Sequence, residues 1–371
     1  MVQYGVSTAN SSVMSALFDS LQVGELRLPN RIVMAPLTRS RAGSRRIPNA
    51  LMCEYYRQRA SAGLIISEAT VVTPMGIGYA DTPGIWSDEQ VEGWRQVTHA
   101  VHAEGGRIFL QLWHVGRVSH PLFLAGEQPV APSAIAPEGH VSLVRPHTPY
   151  VVPRELPSAE IAHIVAAFTR GAENAERSGF DGVELHGANG YLLDQFLQDS
   201  ANRRNDAYGG SIENRARLLL EVTDAAVSVF GPGRVGVHLA PRGDAHSMGD
   251  SDRAATFGHV VRELSRRRIA FVFAREHPDG ERIGPQLKRA FSGVYIANEK
   301  LTGRSATGLI ERGEADAVAF GKLFIANPDL VERLRTGAAL NEPRPEFFYA
   351  GGAAGYTDYP VLTDPEGPHR R

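Results

Sequence analysis

Short runs of β-branched and other apolar residues recur along the chain, separated by stretches whose apolar positions repeat at helical spacing. Eight such runs stand out: RIVMAP (31 to 36), GLIISEAT (63 to 70), RIFLQLWH (107 to 114), GVELHG (182 to 187), RVGVHLAP (234 to 241), IAFVFARE (269 to 276), GVYIANE (293 to 299) and ADAVAFGK (315 to 322). Strands alternating with amphipathic helices are the pattern of βα units around a parallel sheet, and eight of them predict a closed (β/α)8 TIM barrel of the α/β class. Ile161, Ile164, Val165, Phe168 and Ala172 follow the i, i+3, i+4, i+7 rule, with Ser158 placed to cap the first turn. Leu218, Leu219, Val222 and Ala226 do likewise. Ahead of the first strand, LFDSLQVGELRLPN reads as an N-terminal β-hairpin turning at Gly24, a cap for the bottom of the barrel.

After the third strand, residues 115 to 157 carry eight prolines and form the longest irregular insertion, expected to be a lid-like loop. GPGRVG (231 to 236) satisfies G-x-G-x-x-G, but it precedes a strand, whereas a dinucleotide fingerprint follows one and opens a helix; it reads as a helix-to-strand turn. The tail TDPEGPHRR after Leu362 lacks an apolar period and is expected to be frayed. The reading is of one barrel domain over 1 to 371, its core from about 17 to 360.

Composition narrows the partners. Lysine and arginine total 39 against 41 aspartate and glutamate, so a net charge of -2 offers neither a nucleic-acid surface nor a polybasic membrane anchor. A small soluble substrate is expected. The densest basic run, Arg266 to Arg268, falls where a helix ends and suits the helix dipole. One cysteine, Cys53, excludes an intrachain disulfide and any cysteine-based metal site; it reads as an inert buried thiol, and no metal is expected. The first twenty residues lack a basic start and an apolar core, and no stretch gives eighteen uninterrupted apolar residues, which fits a cytoplasmic enzyme. Monomer and homodimer both stay open.

In βα barrels the loops after the strands build the active face, so polar residues at strand ends become candidates. Here these are Pro36 and Thr38, Glu68, Gln111 and His114, His186 and Asn189, His238, Asn298, and Gly321 with Lys322.

The segments NRIVMAPLTRSRA, YYRQRASAGLIISEAT, TPGIWSDEQ, QLWHVGRVSH, VELHGANGYLLDQFLQDSANRRNDAYGGSIENRARLLLEV, FGKLFIANPDL and GYTDYP, in that order, resemble the Old Yellow Enzyme family of FMN-dependent ene-reductases over about Leu17 to Pro360. The resemblance implies bound FMN, NADPH or NADH as hydride donor, and an activated alkene taking turns with the nicotinamide at one shared site. On it, His186 and Asn189 are an oxyanion clamp for the carbonyl oxygen, worth about 3 kcal/mol per donor, and Tyr191 is the proton donor to the α-carbon. Read alone, Tyr191 is equally a core aromatic with a tethered hydroxyl. Thr38 resembles the residue bonded to the isoalloxazine O4, and Gln111 the amide reading the pyrimidine edge. Pro36 and Ala69 are expected to supply backbone beside the ring; Asn298, Gly321 and Lys322 are expected at the phosphate. Tyr79, Trp113 and Tyr356 are either substrate-pocket walls or core packing.

Three positions depart from the family. His238 stands where an arginine is usual beside the flavin, so the charge there is expected to depend on pH, with weaker FMN binding and a potential that falls as pH rises. Lys322 replaces an arginine, keeping charge without the bidentate fork. Lys300 stands where glycine is common and either crowds the phosphate loop or adds a cation. The leading expectation is NAD(P)H-driven reduction of activated alkenes, with nitro compounds and nitrate esters as further substrates. A flavin-poor or ligand-binding barrel and a flavin-dependent isomerase are the alternatives.

Overall fold

Each of the eight apolar runs forms a strand, and each strand is paired in parallel with two neighbours. The computed structural model describes residues 15 to 362, so the tail beyond Leu362 lies outside the described residues. In chain order a hairpin of β1 (Leu21–Val23) and β2 (Leu26–Leu28) precedes β3 (Ile32–Met34), β4 (Leu64–Ile66) and its short continuation β5 (Thr70–Val71). Then come β6 (Ile108–Trp113), an outlying pair β7 (Val130–Ala131) and β8 (Arg154–Glu155), and β9 (Gly182–Gly187), β10 (Val235–Leu239), β11 (Phe271–Arg275), β12 (Val294–Asn298) and β13 (Ala317–Phe320). Pairing runs β3, β4, β6, β9, β10, β11, β12, β13, and β13 returns to β3 with Phe320 beside Met34, which closes the barrel.

Side chains alternate along each strand, so a closed sheet sorts them into two separate cores. Val33, Leu64, Ile66, Phe109, Phe271, Phe273 and Ile296 fill the interior. Their neighbours Leu110, Leu112, Val183, Val237, Val272 and Val318 pack outward against the helices. Both faces are buried, and for that reason the runs read as almost continuously apolar. A Cβ on Gly182 would lie 2.4 Å from the Phe109 ring, and one on Gly236 would lie 2.1 Å from the Phe271 ring. Those two rings, with centroids 5.6 Å apart, therefore need both glycines beside them. Val23 and Leu28 of the antiparallel hairpin join the same interior cluster, so the hairpin closes the lower end as expected.

The helix Ile212–Phe230 ends on Gly231 at φ 75°, and a single 3-10 turn leads into β10, so GPGRVG is the turn it resembles. Two local expectations are corrected. Ser158 does not cap its helix: Pro157 holds that place, and the Ser158 hydroxyl bonds the Asp206 carboxylate at 2.5 Å instead. Cys53 is half-buried rather than buried, and burial raises its thiol pKa. The insertion 115 to 157 is irregular, as expected, and well tied down. The β7 to β8 pair ties its ends together, Arg204 donates to the carbonyls of Pro132 and Leu156, and Arg117 donates to those of Ile135 and His246. Among the described residues no helix is long and apolar enough to cross a membrane.

Because Leu28 is fully buried beneath the barrel and Arg27 beside it is exposed, Leu28→Ala is expected to cost about 3 kcal/mol in urea unfolding. Arg27→Ala is expected to stay within about 0.5 kcal/mol of the unsubstituted chain. Equal shifts would contradict the plug.

Candidate active site

At the C-terminal end of the strands the interior changes from apolar to polar, and a cavity of about 470 Å³ opens there. Along β6 the inward positions after Phe109 are Gln111 and Trp113; along β9, after Gly182, they are Glu184 and His186; β10 contributes His238, and β11 contributes Phe273 and Arg275. Gln111 Nε2 donates to Glu184 Oε2 at 2.6 Å and lies 3.2 Å from His238 Nδ1. Burial pushes the Glu184 carboxyl up to about 8. Burial, with His186 and Arg275 nearby, holds the His238 imidazole well below its usual range. Although the two groups lie 3.9 Å apart, burial shifts both toward their neutral forms, since desolvation outweighs what pairing returns.

Burial at position 238 favours the neutral imidazole, against the pH-dependent charge expected there. A neutral His238 whose Nδ1 accepts from Gln111 carries its proton on Nε2, and that atom has no protein partner. Trp113 Nε1, His186 Nδ1 and Glu184 Oε1 are likewise buried without a partner. So many unmatched polar atoms around one cavity mark a ligand site, because buried polar groups otherwise find partners.

The turn after β9 builds the second wall. His186 is buried and its ring lies parallel to that of His238, centroids 5.0 Å apart. Burial, then the Arg275 charge, lowers its pKa to about 3, so it meets a ligand as the neutral imidazole. Asn189 takes a left-handed backbone at φ 58°, and its carbonyl accepts from His246 Nδ1 at 2.8 Å. Tyr191 then opens the helix Leu192–Leu197, which is anchored by Asp194 Oδ2 on Gly190 N–H and by Gln195 Nε2 on the Gly190 carbonyl. The Tyr191 ring stands edge-on to Trp113 and His186, each 4.9 Å away, and its hydroxyl is 3.0 Å from that of Tyr79. Burial, with Tyr79 beside it, holds the Tyr191 phenol well above its usual pKa.

Pro36, Thr38 and Ala69 edge the cavity from one side, and Asn298, Gly321 and Lys322 from the other. Asn298 is fixed by its amide to the Ala319 carbonyl at 2.8 Å. Lys300 also lines the rim, but its ammonium bonds His277 Nε2 at 2.6 Å. Four candidates lie elsewhere. Tyr79 sits behind Trp113 and reaches the cavity through Tyr191. Tyr356 is not a pocket wall: it is fully buried, stacked on Tyr55 at 4.0 Å with the Arg39 and Arg41 guanidiniums over its ring. Tyr349 lines the cavity in its stead. Glu68 accepts from the Arg39 N–H and the Tyr56 hydroxyl, and His114 is buried against Gly116. Glu184, Phe273, Arg275 and Tyr349 were not anticipated. The first three share the inward parity of Gln111 and His238, a signal present in the sequence; Tyr349 follows no period.

A family model described as the NADH:flavin oxidoreductase / NADH oxidase family matches residues 16–341. A probable flavin mononucleotide-dependent alkene reductase of Leishmania infantum is 42% identical over 96% of this chain and 100% of its own. The 12-oxophytodienoate reductase 2 of Arabidopsis thaliana is 40% identical over 93% of this chain and 96% of its own. Among solved structures, morphinone reductase in complex with tetrahydroNAD superposes with a TM-score of 0.92 at 49% identity, covering 95% of this chain and 99% of that one. The old yellow enzyme homologue from Zymomonas mobilis gives 0.91 at 43%, covering 94% and 100%.

The buried neutral imidazole has a stability signature. The folded pKa of His238 lies below the unfolded value, so as pH falls through about 6.5 the unfolded chain takes up a proton that the folded chain refuses. The contribution of this side chain to stability is complete above that range and lost below it. His238→Gln is therefore expected to gain thermal stability relative to the unsubstituted protein as pH falls from 8 to 5, whereas a pH-independent gap would show that His238 titrates normally.

Proposed function

The chain belongs to the NADH:flavin oxidoreductase / NADH oxidase family, that of the Old Yellow Enzymes, and from this we propose that it reduces the activated C=C bond of α,β-unsaturated carbonyls in a ping-pong cycle. It is an FMN-dependent NAD(P)H oxidoreductase, and FMN, when bound, would supply the hydride chemistry. The residues present fit that group: the unpartnered Nε2 of His238 and the edge of Gln111 suit the nitrogen- and oxygen-rich rim of a flat heteroaromatic ring. Pro36, Thr38, Ala69, Gln111 and His238 would hold the ring, and Asn298, Gly321 and Lys322 the phosphate. Lys300, drawn toward His277, does not crowd them.

The observation that carries the reading is the convergence of His186, Asn189 and Tyr191 on one cavity. His186 and Asn189 direct N–H groups to the carbonyl oxygen of the alkene, where negative charge builds as the β-carbon gains hydride. Tyr191, kept protonated by burial, gives its phenolic proton to the α-carbon. Together the two transfers add H2 across the double bond. The half-buried Tyr79, hydrogen-bonded to the Tyr191 hydroxyl, offers a path for returning the proton from outside. Trp113 closes the apolar side of the pocket, and nicotinamide and alkene alternate because this one cavity receives both. We take the chain to act as a single barrel domain.

The protein purified with FMN is expected to be yellow, to bleach anaerobically with NADPH, and to recover its colour with 2-cyclohexenone. His186→Ala or Asn189→Ala should slow that recovery by about 10²-fold or more, and Tyr191→Phe by about 10²-fold. A protein that stays colourless with FMN, or bleaches and does not recover with the enone, would refute the assignment.

A further inference from the structure

The clamp depends on which edge of the Asn189 amide faces the cavity, since N–H2 stabilises an oxygen gaining negative charge and C=O repels it. Asn189 Oδ1 accepts from Arg275 Nη1 at 2.9 Å. A guanidinium carries five donors and no acceptor, so the amide nitrogen has nothing to bond there. The oxygen must face Arg275, and the N–H2 edge is left to the cavity. Arg275 is held in turn by the Glu299 carboxylate, bonded to its Nε. That carboxylate is delivered by a turn in which Glu299 at φ 112° and Lys300 at φ 50° are both left-handed, a conformation uncommon outside glycine and concentrated at functional sites. His246 pins the Asn189 backbone from the opposite side. Asn189 is thus held at its side-chain oxygen and at its backbone carbonyl, with the amide N–H2 left over.

Building on the function proposed above, we propose that Arg275 is a positioning residue for alkene reduction: it turns the donor edge of Asn189 toward the substrate carbonyl. The sequence suggests a weakened charge at this end of the site because His238 replaces an arginine. The structure places a guanidinium beside the same pocket from the next strand, with His186, His238 and Asn189 as its cavity-lining neighbours and Glu299 as its counter-ion. Arg275 makes the clamp directional.

The test compares Arg275→Met, Arg275→Lys and Asn189→Ala, with the double variant Asn189→Ala/Arg275→Met, all as FMN-loaded proteins. The probe is 4-hydroxybenzaldehyde at a pH where it is ionised, because its phenolate is a stable oxygen anion; its dissociation constant is read by spectral titration beside kcat and KM for 2-cyclohexenone. Arg275→Met is expected to weaken phenolate binding about tenfold, the loss of one charge-assisted contact, and Arg275→Lys, which also has donors alone, about threefold or less. In the Asn189→Ala background, Arg275→Met should change binding by less than about twofold, since coupled residues are not additive. A Met variant that binds phenolate as the unsubstituted enzyme does, or losses that multiply in the double variant, would overturn the inference. The titration needs no turnover, so this coupling stands or falls on it even if 2-cyclohexenone is not reduced.

Discussion

Hydrogen bonding between β13 and β3 closes the sheet, and the rest of the molecule follows from that closure. Once no edge remains, every strand has an inside and an outside fixed by the two-residue period, and one register serves both cores. The same parity that sends Phe109 into the floor sends Gln111 and Trp113 into the cavity, and above Gly182 it sends His186 there, with Glu184 buried against Gln111. Much of the site therefore rides on strands. Side chains held on strands lose little freedom when a ligand arrives, which is the condition for donors to be organised before charge develops. Only Asn189 and Tyr191 of the reacting set come from a turn, and that turn is braced by Asp194, Gln195, His246 and Arg275.

Desolvation governs the electrostatics of the cavity. Three ionisable groups packed at its base and wall, Glu184, His186 and His238, all shift toward their neutral forms because burial is the largest influence on each. The polar atoms they leave unmatched cost about 1 to 3 kcal/mol apiece without a ligand. The site is accordingly most stable when filled. Positive charge is confined to the rim, where Arg275, Lys300 and Lys322 retain access to water or to a partner.

The eight strands were legible in the sequence because each is covered on both faces and so forms an uninterrupted apolar run. The hairpin was legible because Gly24, at φ 53°, sits between two short alternating segments. Site residues at strand ends could be found from the same runs. What the sequence hid depended on neighbours distant along the chain. Whether His238 titrates is set by burial and by His186 and Arg275 beside it, not by its identity. Ser158 was lost as a cap to Asp206, a competitor 48 residues away. Tyr349 and Tyr356 lie in one irregular segment with no period to sort them, and the Arg39 and Arg41 cations drew Tyr356 inward. Arg275 was readable only by extending the inward parity of Phe273 by one further step.

The paired rings and glycines of the floor bear on how such a protein can diversify. Enlarging Gly182 or Gly236 collides with Phe109 or Phe271, and shrinking either ring leaves a void that its glycine cannot fill. At Gly182 even a smaller ring would not help, because a Cβ there also lies 2.3 Å from the Arg234 carbonyl oxygen. The mouth is different, for Tyr349 and Leu301 sit on separate segments of its rim. Inheritance is thus rigid at one end of the barrel and permissive at the other, and new substrate preferences can arise by single substitutions at the rim while the chassis beneath passes unchanged.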